Sequence, residues 1–280
     1  MQEVIKKAIE LLESGTVNRV LGWKTGDFFY DLTPAVFESK EEIEKDFVFS
    51  PFCGANLSKY LIKESRKEGK VAVFLKPCDS YSFVQLLKEH RILRENVYAV
   101  GVACEGMCDI EKIKELGVKG ITAVREDGEV IENSGRFDMV EKLEAMTAEE
   151  RFEFWRGELS KCIRCNACRD VCPACTCEKC VFDNANSGVS QKAAATSFEE
   201  NMYHIIRAFH VASRCTDCGE CSRVCPQNIP LHLLNRKFIK DINEFYGEYQ
   251  SGADTETRPP LMNFTKDDVE PSIVHERGGN

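Results

Sequence analysis

Apolar positions in the first half of the chain switch between two spacings. Val4, Ile5, Ala8, Ile9, Leu11 and Leu12 recur at helical intervals and stop short of Gly15, the pattern of an amphipathic helix closed by a glycine. Short apolar runs then appear at 17–21, 28–30, 47–49, 71–75, 97–102 and 121–124, with helical patterns between them at 57–67, 82–89 and 109–116. Strand and helix alternation of this kind predicts an α/β layer with a mostly parallel sheet. Arg125-Glu126-Asp127-Gly128-Glu129-Val130 has the composition of a hairpin turn, so some antiparallel edge is expected. Helical spacing predicts a stretch over 138–159 and further helices over 198–212 and 231–249. Residues 251–280, rich in Gly, Pro and charge, predict an arm or disordered tail. The expected organisation is an α/β domain over 1–150, a helical domain over 151–250 and a polar arm over 251–280.

The helical part carries one cysteine register twice. Cys162-x-x-Cys165-x-x-Cys168-x-x-x-Cys172-Pro173 returns, with every gap unchanged, as Cys215-x-x-Cys218-x-x-Cys221-x-x-x-Cys225-Pro226. Three thiols at i, i+3 and i+6 lie on one tight loop and take three corners of a [4Fe-4S] cubane, while the cysteine before the proline ligates the other cluster. The expected ligand sets are Cys162, Cys165, Cys168 and Cys225 for one cluster, and Cys215, Cys218, Cys221 and Cys172 for the other. A long helical insert between the runs, where compact bacterial ferredoxins use short strands, predicts an α-helical dicluster ferredoxin domain.

Zinc sites instead set two close pairs of ligands around a longer loop. Disulfides fit less well still. The chain opens on Met1-Gln2-Glu3-Val4-Ile5-Lys6-Lys7 without an apolar leader, and its 15 cysteines are an odd number. A reduced, cytoplasmic, metal-bound protein of an anaerobic host is expected.

At 280 residues there is room for two modest domains. No apolar stretch approaches the roughly 20 residues that a membrane helix needs. The formal charge is -9 and no long basic run occurs, which argues against a nucleic-acid partner. Each oxidised cubane with four thiolates adds about -2 more, because its ligands bind deprotonated. Lys161, Arg164, Arg169, Arg214 and Arg223 sit among the ligands, either offsetting that charge or solvated at helix ends. Arg164, Asn166, Thr216, Asp217 and Gly219 lie inside the cysteine loops, where backbone N–H groups can donate to sulfur. Gly219 lets the backbone approach closely.

Seven cysteines remain. Cys175, Cys177 and Cys180 crowd directly behind a cluster ligand, while Cys53, Cys78, Cys104 and Cys108 fall where predicted strands meet helices. In an open α/β sheet those ends form the crevice that takes ligands. A third [4Fe-4S] cluster is therefore a candidate, held by these four or by a mixture with Cys175, Cys177 and Cys180. Neither a Rossmann fingerprint nor a P-loop is present, and a flavin remains open because flavin sites often lack a short signature. His90, His204, His210, His232 and His275 show no ligand spacing and read as packed or exposed.

Several segments resemble the coenzyme F420-reducing hydrogenase and dehydrogenase beta subunits, and related dicluster subunits of sulfhydrogenases and anaerobic sulfite reductases. They are Lys76-Pro77-Cys78-Asp79, Val100-Gly101-Val102-Ala103-Cys104-Glu105-Gly106, the stretch from Cys162 to Cys180, and Arg207-Ala208-Phe209-His210-Val211-Ala212-Ser213-Arg214-Cys215. The resemblance implies an electron-transfer subunit of a larger anaerobic complex, with other redox subunits as partners. It also implies a cofactor, FAD or a cluster, near Lys76, Cys78 and Cys104. The chain departs from that family in its C-terminal dicluster part and its short α/β part.

The leading expectation is an iron–sulfur electron-transfer subunit of a cytosolic hydrogenase, formate dehydrogenase or heterodisulfide-reductase-like complex. The alternatives are a subunit that takes a hydride on FAD and splits it into single electrons, and a metal-stabilised interaction module without redox function.

Overall fold

The computed structural model describes residues 2–104, 135–183 and 197–262. Helix α1 (Gln2–Glu13) buries Ala8 and Leu11 against the sheet's core and leads into Gly15, whose φ of 68° reverses the chain. Strand β1 (Arg19–Thr25) returns as β2 (Leu32–Phe37), antiparallel, with Val20 opposite Phe37. The apolar run at 28–30, expected as a strand, is the bend between them. Phe28 and Phe29 are 59% and 50% exposed, and both rings pack on Tyr30 rather than on a sheet. Pro34 hid β2 from the sequence pattern. It is accommodated because β2 is an edge strand.

The run at 47–49 also shrinks, from an expected strand to a single bridge between Phe47 and Lys24. It follows α2 (Lys40–Asp46), whose cap Ser39 accepts the Glu42 N–H at 3.2 Å. Phe47 packs over Gly22, where an added Cβ would stand 2.2 Å from its ring. Strand β3 (Val71–Leu75) is buried throughout and runs parallel to β1 and to β4 (Val97–Gly101). The resulting sheet has the order β2-β1-β3-β4, mixed, with one antiparallel edge. Against it lie α3 (Leu61–Glu64), entered through a 3-10 turn at Leu57–Tyr60, and α4 (Pro77–Lys88). Pro77 stands in α4's first turn, where its missing N–H costs nothing.

Beyond the sheet the regular elements among the described residues are helical. The stretch at 138–159 divides into α5 (Asp138–Glu144) and α6 (Ala148–Leu159), because Thr147 and Glu150 form a reciprocal cap: each side-chain oxygen accepts the other's N–H, at 3.2 and 2.9 Å. Further helices among the described residues are α7 (Ala167–Asp170), α8 (Ser197–His210), α9 (Glu220–Arg223) and α10 (Leu231–Tyr246). Glu144 clamps α5 to α10 through Lys237 at 2.6 Å and Lys240 at 2.9 Å.

Polar seams join this region to the sheet, among them two made by Arg214 and Ser251. Arg214 grips Glu89, at the C-terminal end of α4, with two hydrogen bonds, at 2.8 and 2.5 Å. Buried Ser251, at the head of the C-terminal arm, donates to Gln85 Oε1 and to the Ser213 carbonyl, both at 3.1 Å. The expected strand at 121–124, helix at 109–116, hairpin at 125–130 and Cys108 lie outside the described residues. Among the described residues no helix is long and apolar enough to cross a membrane.

Candidate metal centres

The two cysteine loops are built alike. In the first, Arg164 and Asn166 adopt φ of 57° and 64°; at the same offsets in the second, Asp217 and Gly219 adopt 59° and 72°. Such left-handed residues turn successive N–H groups to one side of a loop, where they meet sulfur. The Arg164 N–H donates to Cys162 Sγ at 3.4 Å, and the N–H groups of Asp217, Glu220 and Ser222 act on Cys215, Cys218 and Cys221. Each loop then enters a short helix, α7 or α9, that carries its third cysteine. Gly219 takes the left-handed geometry without the strain a side chain would add.

The loops also interlock. Cys162, Cys165, Cys168 and Cys225 line one cavity, together with Asn166, Tyr203, His204 and Ile229. Cys225 comes from the second run and closes the space opened by the first. Reciprocally, Cys172 of the first run packs with Cys215 and acts electrostatically on Cys215, Cys218 and Cys221. Cys168 and Cys221 share one buried cluster with Leu159 and Leu231, so the two centres are neighbours.

Burial pushes Cys221 up to about 11 and holds Cys215 and Cys218 well above the ordinary thiol range. Thiols of this kind give up their protons when iron takes their place. Cys172 is held below the usual range, first by the hydrogen bond from Cys175. The donor set fits cubanes: it is sulfur alone, with Cys168, Cys172 and Cys221 buried, and backbone N–H groups meet Cys162, Cys215, Cys218 and Cys221. Among the described residues no three His, Cys, Asp or Glu side chains converge closely enough to hold a single ion.

The basic residues expected to balance the clusters are mostly committed elsewhere. Lys161 pairs with Glu158, Arg169 with Asp183, Arg214 with Glu89 and Arg223 with Glu220. The buried cation at the centres is Arg207 of α8, 4% exposed, which donates to the Cys168 carbonyl at 3.0 Å and acts on Cys168, Cys172 and Cys221. Neither Arg207 nor His204 was legible from ligand spacing. Their signal lay in the amphipathic period of α8, which sets residues 204 and 207 one turn apart on one face.

The remaining cysteines form two groups. Cys175, Cys177 and Cys180 line an open basin with Lys59, Lys63 and Arg214, and the Lys59 ammonium donates to the Cys175 carbonyl. Cys104 and Lys76 stand within electrostatic reach of both Cys53 and Cys78. Cys53 is fully buried, accepting the Ser50 N–H at 3.3 Å and donating to the Val48 carbonyl at 3.6 Å, whereas Cys78 is exposed. Lys76 is completely buried: its ammonium meets Asp79 at 2.7 Å and the Ala55 carbonyl at 3.1 Å, 4.7 Å above the Trp23 ring.

A polar relay runs from this corner toward the second centre. Asn56 donates from its side chain to Ser82 at 2.9 Å and from its backbone to Glu220 at 3.1 Å. Ser82 in turn meets the hydroxyl of Thr216, between two candidate ligands, at 2.8 Å.

A sequence model of the 4Fe-4S dicluster domain matches residues 158–229, the span that holds both loops. This part of the chain is a 4Fe-4S dicluster domain. Such a domain implies two [4Fe-4S] clusters, which makes the chain an iron–sulfur protein. Similarity to two curated proteins extends over nearly the whole chain. The F420-dependent formate dehydrogenase subunit beta of Methanocaldococcus jannaschii is 24% identical, over 91% of this chain and 92% of that protein. The F420-dependent formate dehydrogenase 1 subunit beta of Methanococcus maripaludis is 25% identical, over 90% of each. The resemblance to F420-dependent dehydrogenase beta subunits read from the sequence therefore stands as a similarity. The first alignment spans 356 positions against the 280 residues here, so the relatives hold segments that this chain does not have.

Proposed function

We propose that the chain is an electron-transfer subunit of a cytosolic anaerobic oxidoreductase complex, passing single electrons through its two clusters to or from partner subunits. The ligand sets are Cys162, Cys165, Cys168 and Cys225 for the first centre, and Cys215, Cys218, Cys221 and Cys172 for the second. The observation that carries this reading is the cavity shared by three cysteines of one run and the last cysteine of the other. Relatives named as formate dehydrogenase beta subunits favour a dehydrogenase complex of that kind over a stand-alone enzyme.

The clusters supply one-electron chemistry, and the chain supplies placement, insulation and tuning. Leu159, Ile229 and Leu231 keep water from the space between the centres, while backbone N–H groups and Arg207 stabilise negative charge on the sulfurs. A third cofactor belongs in one of two places: by Cys53, Cys78 and Cys104, with Lys76 as a fixed positive charge beneath it, or in the basin of Cys175, Cys177 and Cys180.

The test is iron, acid-labile sulfide and flavin per chain in anaerobically purified protein. About eight irons without flavin describes a two-cluster conduit, and about twelve adds a third cubane, at four irons per cluster. Flavin released on precipitation moves the proposal to a subunit that splits hydride equivalents. Zinc without iron or sulfide overturns it.

A further inference from the structure

His204 is 2% exposed, and neither ring nitrogen has a hydrogen-bond partner. Leaving a buried polar atom unmet costs about 1–3 kcal/mol, so a native protein retains such a group where something meets it. The surroundings narrow the choice. His204 lines the cavity that holds Cys162, Cys165, Cys168 and Cys225. The adjacent Tyr203 is already occupied, donating to Asn166 at 3.0 Å. At the second centre the matching role is visible: Asn235 of α10, also buried, donates its amide to Cys221 Sγ at 3.7 Å. The two long helices beside the dicluster loops thus both carry buried side-chain donors toward the centres: on α8 one Arg207 nitrogen is spent on the Cys168 carbonyl, while Arg207 Nε and both ring nitrogens of His204 lack a partner, and of these the His204 ring lines the cavity of the first centre.

We propose that His204 donates a ring N–H to a sulfur of the first [4Fe-4S] cluster and raises that cluster's reduction potential relative to the second. This rests on the ligand sets given above. A hydrogen bond to sulfur favours the more negative, reduced state, which is the physical basis of the shift. His204 is a positioning and tuning residue, not a ligand.

The experiment uses the whole chain, anaerobically purified, as wild type, His204→Leu and His204→Gln. Iron and sulfide are counted first, then both cluster potentials are measured by EPR-monitored titration. In H204L the counts match wild type, one potential falls and the other stays. H204Q, which keeps a donor, recovers part of the shift. Protein labelled with 15N only at histidine shows a 15N coupling to a reduced cluster in pulsed EPR, and that coupling disappears in the variants.

Full clusters with both potentials unmoved overturn the inference. Should H204L fail to hold its clusters, the labelled wild type decides: absence of a 15N coupling lost in H204Q overturns it. Wild type without iron and sulfide would sink the ligand assignment itself, which keeps the two failures apart.

Discussion

The two cysteine loops share spacing, left-handed turns and a following short helix, yet they face different surroundings. The first centre is walled by α8, with Tyr203 and His204 on its cavity, and its hydrogen bonds stay inside the helical region. The second is tied to the α/β layer, where Thr216 reaches Ser82 and Glu220 accepts the Asn56 N–H, and within the helical region Asp217 is gripped at 2.8 Å by both Arg136 and Arg236. Identical registers therefore build identical cages, and the environment of each cage makes them different sites.

The largest expected effect tests whether the centres are coupled through crossed ligands. Cys172→Ala is expected to abolish the second cluster while the cavity of the first keeps its four thiols, lowering iron by about four atoms per chain. If EPR instead shows the first cluster lost and the second intact, the crossed assignment falls.

Lys76→Met comes next, because it strands Asp79 in a buried site. Breaking a buried pair this way costs about 3–5 kcal/mol, read as a fall in the unfolding midpoint. Replacing both residues by apolar ones should recover much of that loss. The same substitution should disturb the second cluster before the first, since the Asn56 and Ser82 relay leads there.

Arg207 is shared by the two centres and blunts the contrast between them. Arg207→Met should lower both cluster potentials and leave the Cys168 carbonyl unmet, at about 1–3 kcal/mol of stability. A shift confined to one cluster would show that the guanidinium serves only one side.

Thr216→Val isolates the seam to the α/β layer. It should cost about 1 kcal/mol and shift only the second cluster's EPR signal, which midpoint and spectrum together report.

The smallest effect concerns Glu144, whose hydrogen bonds from Lys237 and then Lys240 hold its carboxyl below the usual range. A depressed folded-state value contributes stability above the unfolded value of about 4.3 that is lost as pH falls below it. Glu144→Gln should flatten that acid limb of the stability curve and leave both potentials alone.

Legibility in the sequence followed the range of the interactions. The cysteine loops were readable because their geometry is local, fixed by three-residue gaps and a proline. Strand β3 was readable because a strand buried on both faces is a plain apolar run. Phe28 and Phe29 misled because aromatic residues on a hairpin bend look like strand residues until their exposure is known. Strand β2 was missed at Pro34, and the break at Thr147 was passed over because the apolar period carries across its cap. His204, Arg207 and Lys76 owe their settings to burial by distant parts of the chain, which no spacing encodes.

The crossing of Cys225 into the first cavity also sets a timetable for making the protein. A ribosome that has released the first three thiols has built an open-sided cage, and the side chain that shuts it is translated only at the end of the second run. Iron offered to a chain that ends before Cys221 therefore finds two unfinished sites under the proposed ligand sets. A premature stop before residue 221 leaves both centres short of a ligand, and one between 221 and 225 leaves only the first unfinished.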